Sequence, residues 1–298
     1  MSVTLDPADV AAAPDPEADP PGREIKGPSA TGGDLRRVMR LAYELARTDF
    51  KLRFFGSALG YLWTLMRPLL LFGVLYFVFS VALKFDGDEK YFPVALLLGL
   101  VLYQFIQEST NGAIRSIVMR EHIVRKVDFP RLAVPLAAVM LAGFNLALNM
   151  IPLIIFFLAS GGTPMLSWLE FPLLVLYLLI MALGPVMLLS ALFVRYRDVE
   201  PIWEVILAVT FYITPIFYTL STLREQLGAD ESRFFFFNPF AVAVQQGRHS
   251  LIDPSHPSAT QALGNPAWIA FPFGLVLIVF LAGVYYFVKR APELAEEL

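Results

Sequence analysis

The chain has 298 residues, 57% of them hydrophobic and 16% charged, well outside the roughly 45–50% apolar and about 25% charged of a soluble domain. That imbalance excludes an ordinary water-soluble protein and predicts an integral membrane one. The formal net charge of −3 says less than its distribution, and nucleic acid is not an expected partner; the absence of cysteine removes disulfides, thiolate metal sites and cysteine nucleophiles together.

In chain order, the Pro-, Asp- and Ala-rich residues 1–34 lack the basic flank and apolar core of a signal peptide and cannot bury a core, which predicts a disordered acidic tail. Residues 35–53, LRRVMRLAYELARTDFKLR, put Leu35, Val38, Met39, Ala42, Leu45, Ala46, Asp49 and Phe50 near one side at helical spacing, with most of the basic residues elsewhere. This predicts an N-terminal amphipathic helix lying in the membrane interface. Beyond it the sequence reads as one membrane domain over 35–298.

Spans are predicted near 61–83, 91–112, 132–158, 171–194, 202–220 and 267–288, each about as long as the roughly 20 helical residues a hydrocarbon core requires. The expected fold is therefore an all-α integral membrane protein with six transmembrane helices. Basic residues are retained on the cytoplasmic side. Taking alternate sides, 18 of the 23 Lys and Arg fall in the N-terminal region through Arg67, after spans 2 and 4, and at the C-terminus. That asymmetry predicts cytoplasmic termini, with 84–90, 159–170 and 221–266 outside.

Arg67 and Pro68 interrupt the first apolar run. A long arginine stem can reach back to headgroups, and a proline costs least in the first helical turn, so the pair is expected to mark the inner end of span 1 with Tyr61 and Trp63 at interface depth. The other reading is an arginine facing a cavity. After span 2, Ile114, Ile117, Val118 and Met119 predict a short amphipathic cytoplasmic helix. In the longest outside connection, FFFFNPFAVAV is too short to span and too apolar for an exposed loop. Asn238 and Pro239 have the form of an N-cap and first helical residue, predicting a re-entrant helix from Pro239 to Leu251.

No Gly-Lys-Ser or Gly-Lys-Thr phosphate loop occurs, so ATP hydrolysis would belong to another polypeptide. His122, His249 and His256 show no metal-ligand spacing, and no metal site is expected. Asp86 and Asp88 read as a solvated turn rather than the acids of a glycosyltransferase. Glu108 lies inside a predicted span, near its cytoplasmic end. Gln104, Glu108, Asn111 and Arg115 form one polar stripe, and Trp203, Leu207, Thr210, Thr214 and Tyr218 another. Such stripes can line a path or join helices. For Asn145 and Asn149 the joining role is expected.

These residues carry a resemblance. KLRFFGSALGYLWTLMRPLLL, HIVRKVDFPR, RYRDVEPIWEVILAVTFYITPIFY and FNPFAVAVQQGRHSLI, in this order over about 35–290, resemble the type-2 ABC exporter permeases for polysaccharides, such as O-antigen, teichoic acid and galactan permeases. The resemblance implies a permease, not an enzyme: a homodimer in the cytoplasmic membrane, with two nucleotide-binding ATPase subunits that carry the ATP and Mg, moving a polyprenyl-linked glycan among membrane lipids. No cofactor is expected in this chain. It assigns ATPase coupling to Arg115, Arg120, Glu121, His122, Arg125, Lys126, Arg195, Arg197 and Asp198. Trp63, Tyr76, Gln104, Glu108, Asn111, Trp203, Thr210, Thr214 and Tyr218 become candidates for channel lining, and Phe236, Phe237, Asn238, Pro239 and Arg248 for an external gate. A drug- or lipid-exporting permease is the rival; a lipid-carrier-dependent glycosyltransferase is more remote.

Overall fold

The computed structural model describes residues 34–53, 55, 60, 62–84, 91–124 and 129–294. The tail before Asp34, Tyr61, Asp86, Asp88, Arg125 and Lys126 lie outside them. The described chain is built from helices and short connections. Helix α1 (Leu35–Arg53) is followed by α2 (Leu62–Tyr76), which continues as a wider π turn over Phe77–Ala82. Then come α3 (Phe92–Ile114), the one-turn helices α4 (Ser116–Met119) and α5 (Glu121–Val124), α6 (Ala133–Ala159), α7 (Phe171–Arg195) and α8 (Val199–Ile213). Three short helices, α9 (Leu220–Leu227), α10 (Pro239–Gly247) and α11 (Ala259–Leu263), precede α12 (Ala270–Arg290).

Among the described residues, five helical segments are long and apolar enough to cross a membrane: Leu62–Ala82, Phe92–Ile114, Ala133–Ala159, Leu166–Arg195 and Pro266–Arg290. The expected span at 202–220 takes a different form. Its helix, α8, has 15 residues, about 22 Å at 1.5 Å per residue, short of a hydrocarbon core of about 30 Å. It stops where Thr214 turns extended, at φ −72° and ψ 133°, because Pro215 crowds the helical conformation of the residue before it.

Helix α3 is the axis of the bundle, with Phe92, Val94 to Leu102, Phe105 and Ile106 buried against α6, α7 and the short helix α10. α10 is itself buried from Phe240 to Gln245. A methyl group placed on Gly247 would stand 3.2 Å from Leu98 and 3.3 Å from Leu174. Leu98 lies six residues inside α3, so α10 is inserted about 9 Å beyond that helix's end. It begins as the sequence predicts: the Asn238 side chain accepts from the Phe240 N–H at 3.0 Å, and Pro239 follows as the first helical residue.

Three sequence expectations change. Pro68 is the seventh residue of α2, beyond the first turn, and Arg67 lines a cavity instead of marking the helix end. The stripe of α1 is narrower than expected: Val38, Ala42 and Ala46 are fully buried against α6, while Leu35 and Met39 are exposed. Tyr43 and Phe50 meet Phe144 edge-on at 6.0 and 5.8 Å. The expected amphipathic helix after α3 is two single turns broken at Arg120, with Ile114 and Ile117 buried but Met119 exposed.

The closest crossing is between α7 and α12. A Cβ on Gly283 would fall 2.2 Å from the Gly184 carbonyl oxygen, so the two backbones touch as small-residue interfaces allow in lipid. Gly283→Ala is expected to destabilise the protein by about 1–3 kcal/mol through overpacking, read as a lower thermal midpoint in detergent. Gly274→Ala on the same helix, with open space around it, is expected to leave that midpoint unchanged or raised.

Candidate functional site

Three adjoining cavities, of about 360, 380 and 900 Å³, share Arg67 and Glu108 on their walls. The first is bounded by Arg53, Trp63, Thr64, Leu70 and Gln104. The second lies between α2, α3 and α8 and is rich in rings, with Phe79, Tyr103, Phe211, Tyr212 and Phe217 around it. The third opens under α1 and the α4–α5 turn, reaching Asp49, Asn111, Arg120, His122 and Leu141.

Glu108 is the junction of these cavities. Its Oε1 accepts from Gln104 Nε2 at 3.0 Å and its Oε2 from Asn145 Nδ2, while the Arg53 guanidinium stands 3.8 Å away. A carboxylate inside a membrane segment needs polar partners, and here three elements supply them: α1 through an ion pair, its own helix and α6 through amide donors. Asn145 thus joins α6 to α3, the role its sequence position predicts. Asn149 differs, since its amide donates to the Asn145 carbonyl of its own helix at 3.0 Å. Arg53 and Asn145 as partners of Glu108 are not legible in sequence, because 55 and 37 positions separate them from it.

The remaining lining candidates are divided among different surroundings. Trp63 borders the first cavity, Asn111 the third, and Tyr76 stacks on Phe72 at 5.8 Å. On α8 the cavity face is Ala208, Phe211 and Tyr212. Trp203 packs with Ile114, Leu189 and Phe193, and Leu207 lies in the core. Thr214 is buried; its hydroxyl donates to the Thr210 carbonyl at 2.7 Å and accepts from Asn238 Nδ2 at 3.0 Å. Tyr218 donates to the Ile213 carbonyl at 2.9 Å. Phe211, Tyr212 and Phe217 have no spacing in the sequence that marks them as one face, because the break at Thr214 rotates everything after it.

The basic loops meet at one end. Ile117 and Val124 pack with Val134, Val194, Phe287 and Leu294, uniting the α4–α5 turn with the ends of α6, α7 and α12. Arg115 Nε donates to both Glu200 oxygens at 2.8 Å, and Arg120 pairs with Asp49 of α1. Glu121 opens α5, and His122 is exposed beside it on the third cavity. Arg195 lies 5.5 Å from the Tyr196 ring and Arg197 4.8 Å from the Phe193 ring, while Asp198 is exposed before α8.

At the other end Trp168 donates to the Leu251 carbonyl at 3.0 Å and Gln246 to Glu170 at 2.8 Å, drawing the α6–α7 connection onto the segment after α10. Arg248, almost fully buried, donates to the carbonyls of Ile216 at 2.7 Å and Tyr218 at 3.4 Å, clamping the non-helical 214–219 segment. Phe236 is buried with Leu220, Leu223 and Leu263; Phe237 lies 5.2 Å from the Phe271 ring. Burial holds the nearby His256 imidazole below its ordinary pKa, with Arg248 and His249 acting the same way and Asp253 opposing. A neutral imidazole is therefore favoured in the fold, and its contribution to stability is lost as pH falls through the ordinary imidazole range. Among the described residues no three His, Asp or Glu side chains are grouped to hold a metal.

Membrane-length helices around a charged, ring-lined cavity define a multi-pass membrane protein of the transporting kind. The chain belongs to the ABC-2 type transporter family, whose profile matches residues 40–251. It is 29% identical over 266 residues to the O-antigen export system permease protein RfbA of Klebsiella pneumoniae, covering 89% of this chain and 97% of that one. It is 26% identical over 265 residues to the protein of the same name from Myxococcus xanthus, covering 89% and 98%.

The different settings of the two asparagines can be separated. Asn145→Leu removes a donor from a half-buried carboxylate, and is expected to cost about 1–3 kcal/mol. Asn149→Leu, which loses only a bond within its own helix, is expected to cost less. Unfolding in mixed micelles compares them.

Proposed function

We propose that the chain is the permease subunit of an ABC exporter that carries a lipid-linked polysaccharide, of the O-antigen type, out of the cytoplasm across the inner membrane. The observation that carries this reading is the likeness to O-antigen export permeases over nearly the whole of both chains, together with the family match. The ring-lined cavity between α2, α3 and α8 supports it, because aromatic faces pack against pyranose C–H groups while nearby amides replace lost water.

In this reading the chain forms a homodimer and binds two ATPase subunits, which hold ATP and Mg; this chain contributes no catalytic group. The basic end faces the cytoplasm and receives the ATPase, with the Arg115–Lys126 loop and the Arg195–Glu200 turn as contacts. The six-crossing topology is completed by α8 and the clamped 214–219 segment together. Closure of the ATPases pushes the α4–α5 turn, and the Asp49–Arg120 pair passes that displacement to α1. Coupling of this kind requires the substrate to bind the two states with different affinity. Phe236 to Pro239, and Arg248 behind them, border the exit.

Two measurements test the reading. Because the chain has no cysteine, His122→Cys and Ser255→Cys each give one label site; His122→Cys is expected to react only from the cytoplasm and Ser255→Cys only from outside. Replacing Arg125 and Lys126 by Glu is expected to abolish co-purification of the ATPase and glycan export. Normal export, or ATP hydrolysis by the isolated chain, would overturn the assignment.

A further inference from the structure

We propose that Arg53, Arg67 and Thr64 form a binding site for the phosphate group of an anionic amphiphile whose apolar chain lies along the exposed face of α2. The three side chains border the same cavity of about 360 Å³. Arg67 is the sixth residue of an apolar helix, and no described residue pairs with its guanidinium. An unpaired cation that faces a cavity within a membrane segment points to a ligand or ion path.

Arg53 is barely neutralised. Glu108 lies 3.8 Å from it, and both oxygens of that carboxylate already accept from amides, Gln104 and Asn145. Thr64 adds a hydroxyl: the residue is 7% exposed, and its Oγ1 has no hydrogen-bond partner among the described residues. Two guanidiniums and one buried hydroxyl are all donors. They match a ligand that only accepts, carries negative charge and presents several oxygens around one centre, which describes a phosphate ester.

The second half of the ligand follows from what lies beyond. Leu70 stands on the cavity wall, and Leu71, Val74, Phe77 and Val81 continue from it as exposed apolar side chains along the same helix. Trp63, half-exposed at the cavity edge, is the amphipathic ring type that favours the boundary between headgroups and hydrocarbon. A polar head at Arg53 and Arg67 therefore meets a hydrocarbon tail directed up α2. Pro68 contributes by lacking the N–H that would bond the Thr64 carbonyl in a regular helix, which loosens the turn that presents Thr64. Two sources share this chemistry: a bilayer phospholipid headgroup, and the phosphate joining a glycan to a lipid carrier. The second identification rests on the export reading above; the phosphate site does not.

The full-length chain in nanodiscs of phosphatidylcholine, titrated with a long-chain polyprenyl monophosphate and followed by native mass spectrometry, tests the site without ATP or partner. Saturable binding is expected for the wild type. R53Q/R67Q is expected to weaken it by about tenfold or more, as loss of two charge-assisted bonds implies, and T64V by a smaller factor. The control R36Q/R40Q removes equal charge from the exposed side of α1 and is expected to bind normally; unchanged thermal midpoints verify folding. Competition by phosphatidylglycerol at equal concentration assigns the site to phospholipid headgroups, and failure to compete assigns it to the carrier phosphate. Equal affinity in R53Q/R67Q and wild type, equal loss in the control, or no binding by the wild type overturns the proposal. A chain that binds as expected yet supports no glycan export would leave the site standing and count against the export reading.

Discussion

In hydrocarbon, every backbone polar group must be satisfied within the protein, and apolar side chains gain nothing by leaving lipid for one another. The whole arrangement follows from that constraint. Helices meet where small residues let backbones approach, as at Gly184 and Gly283, or where a polar group must be shared, as at Glu108 and Asn145. Val38, Ala42 and Ala46 bring α1 onto α6 by the same means.

The same constraint explains how the chain departs from the helix. The 214–219 segment exposes carbonyls that a longer α8 would have used itself. Arg248 donates to two of them, and Asn238 reaches Thr214 while capping α10. Ile216 then lies against Gly99, where a Cβ would stand only 2.9 Å away. A break in one helix, the inserted helix α10 and a glycine of α3 are thus one structural unit. Moving any of them exposes unsatisfied carbonyls, so this end is expected to shift as a block rather than by local fraying.

At the basic end the logic is electrostatic. Asp49 and Arg53 lie one turn apart on α1, and each meets an opposite charge on a different element: Arg120 in the α4–α5 turn and Glu108 in α3. α1 is thereby tied both to the surface assigned to the ATPase and to the cavity beside α2. In the transport reading proposed above, displacement of the turn would act on the cavity wall through α1.

The sequence by itself determined the membrane class, the helical architecture, α1 to its last residue, five of the expected spans, and the Asn238–Pro239 start of a helix in the longest connection, because hydropathy, periodicity and capping are local properties. Its motifs also carried the family, through short strings whose order survives divergence. It did not show that the helix of span 5 ends at Ile213, before Pro215, and it left open the setting of Arg67, whose cavity is built by residues from α1 and α3. Only the tertiary structure decided that Glu108 joins three elements, that the cavity face of α8 is Ala208, Phe211 and Tyr212, and that Arg248 clamps a broken span. Each depends on contacts between residues tens of positions apart, and in a chain this uniformly apolar no pattern of hydrophobicity says which face of a helix meets another helix and which meets lipid.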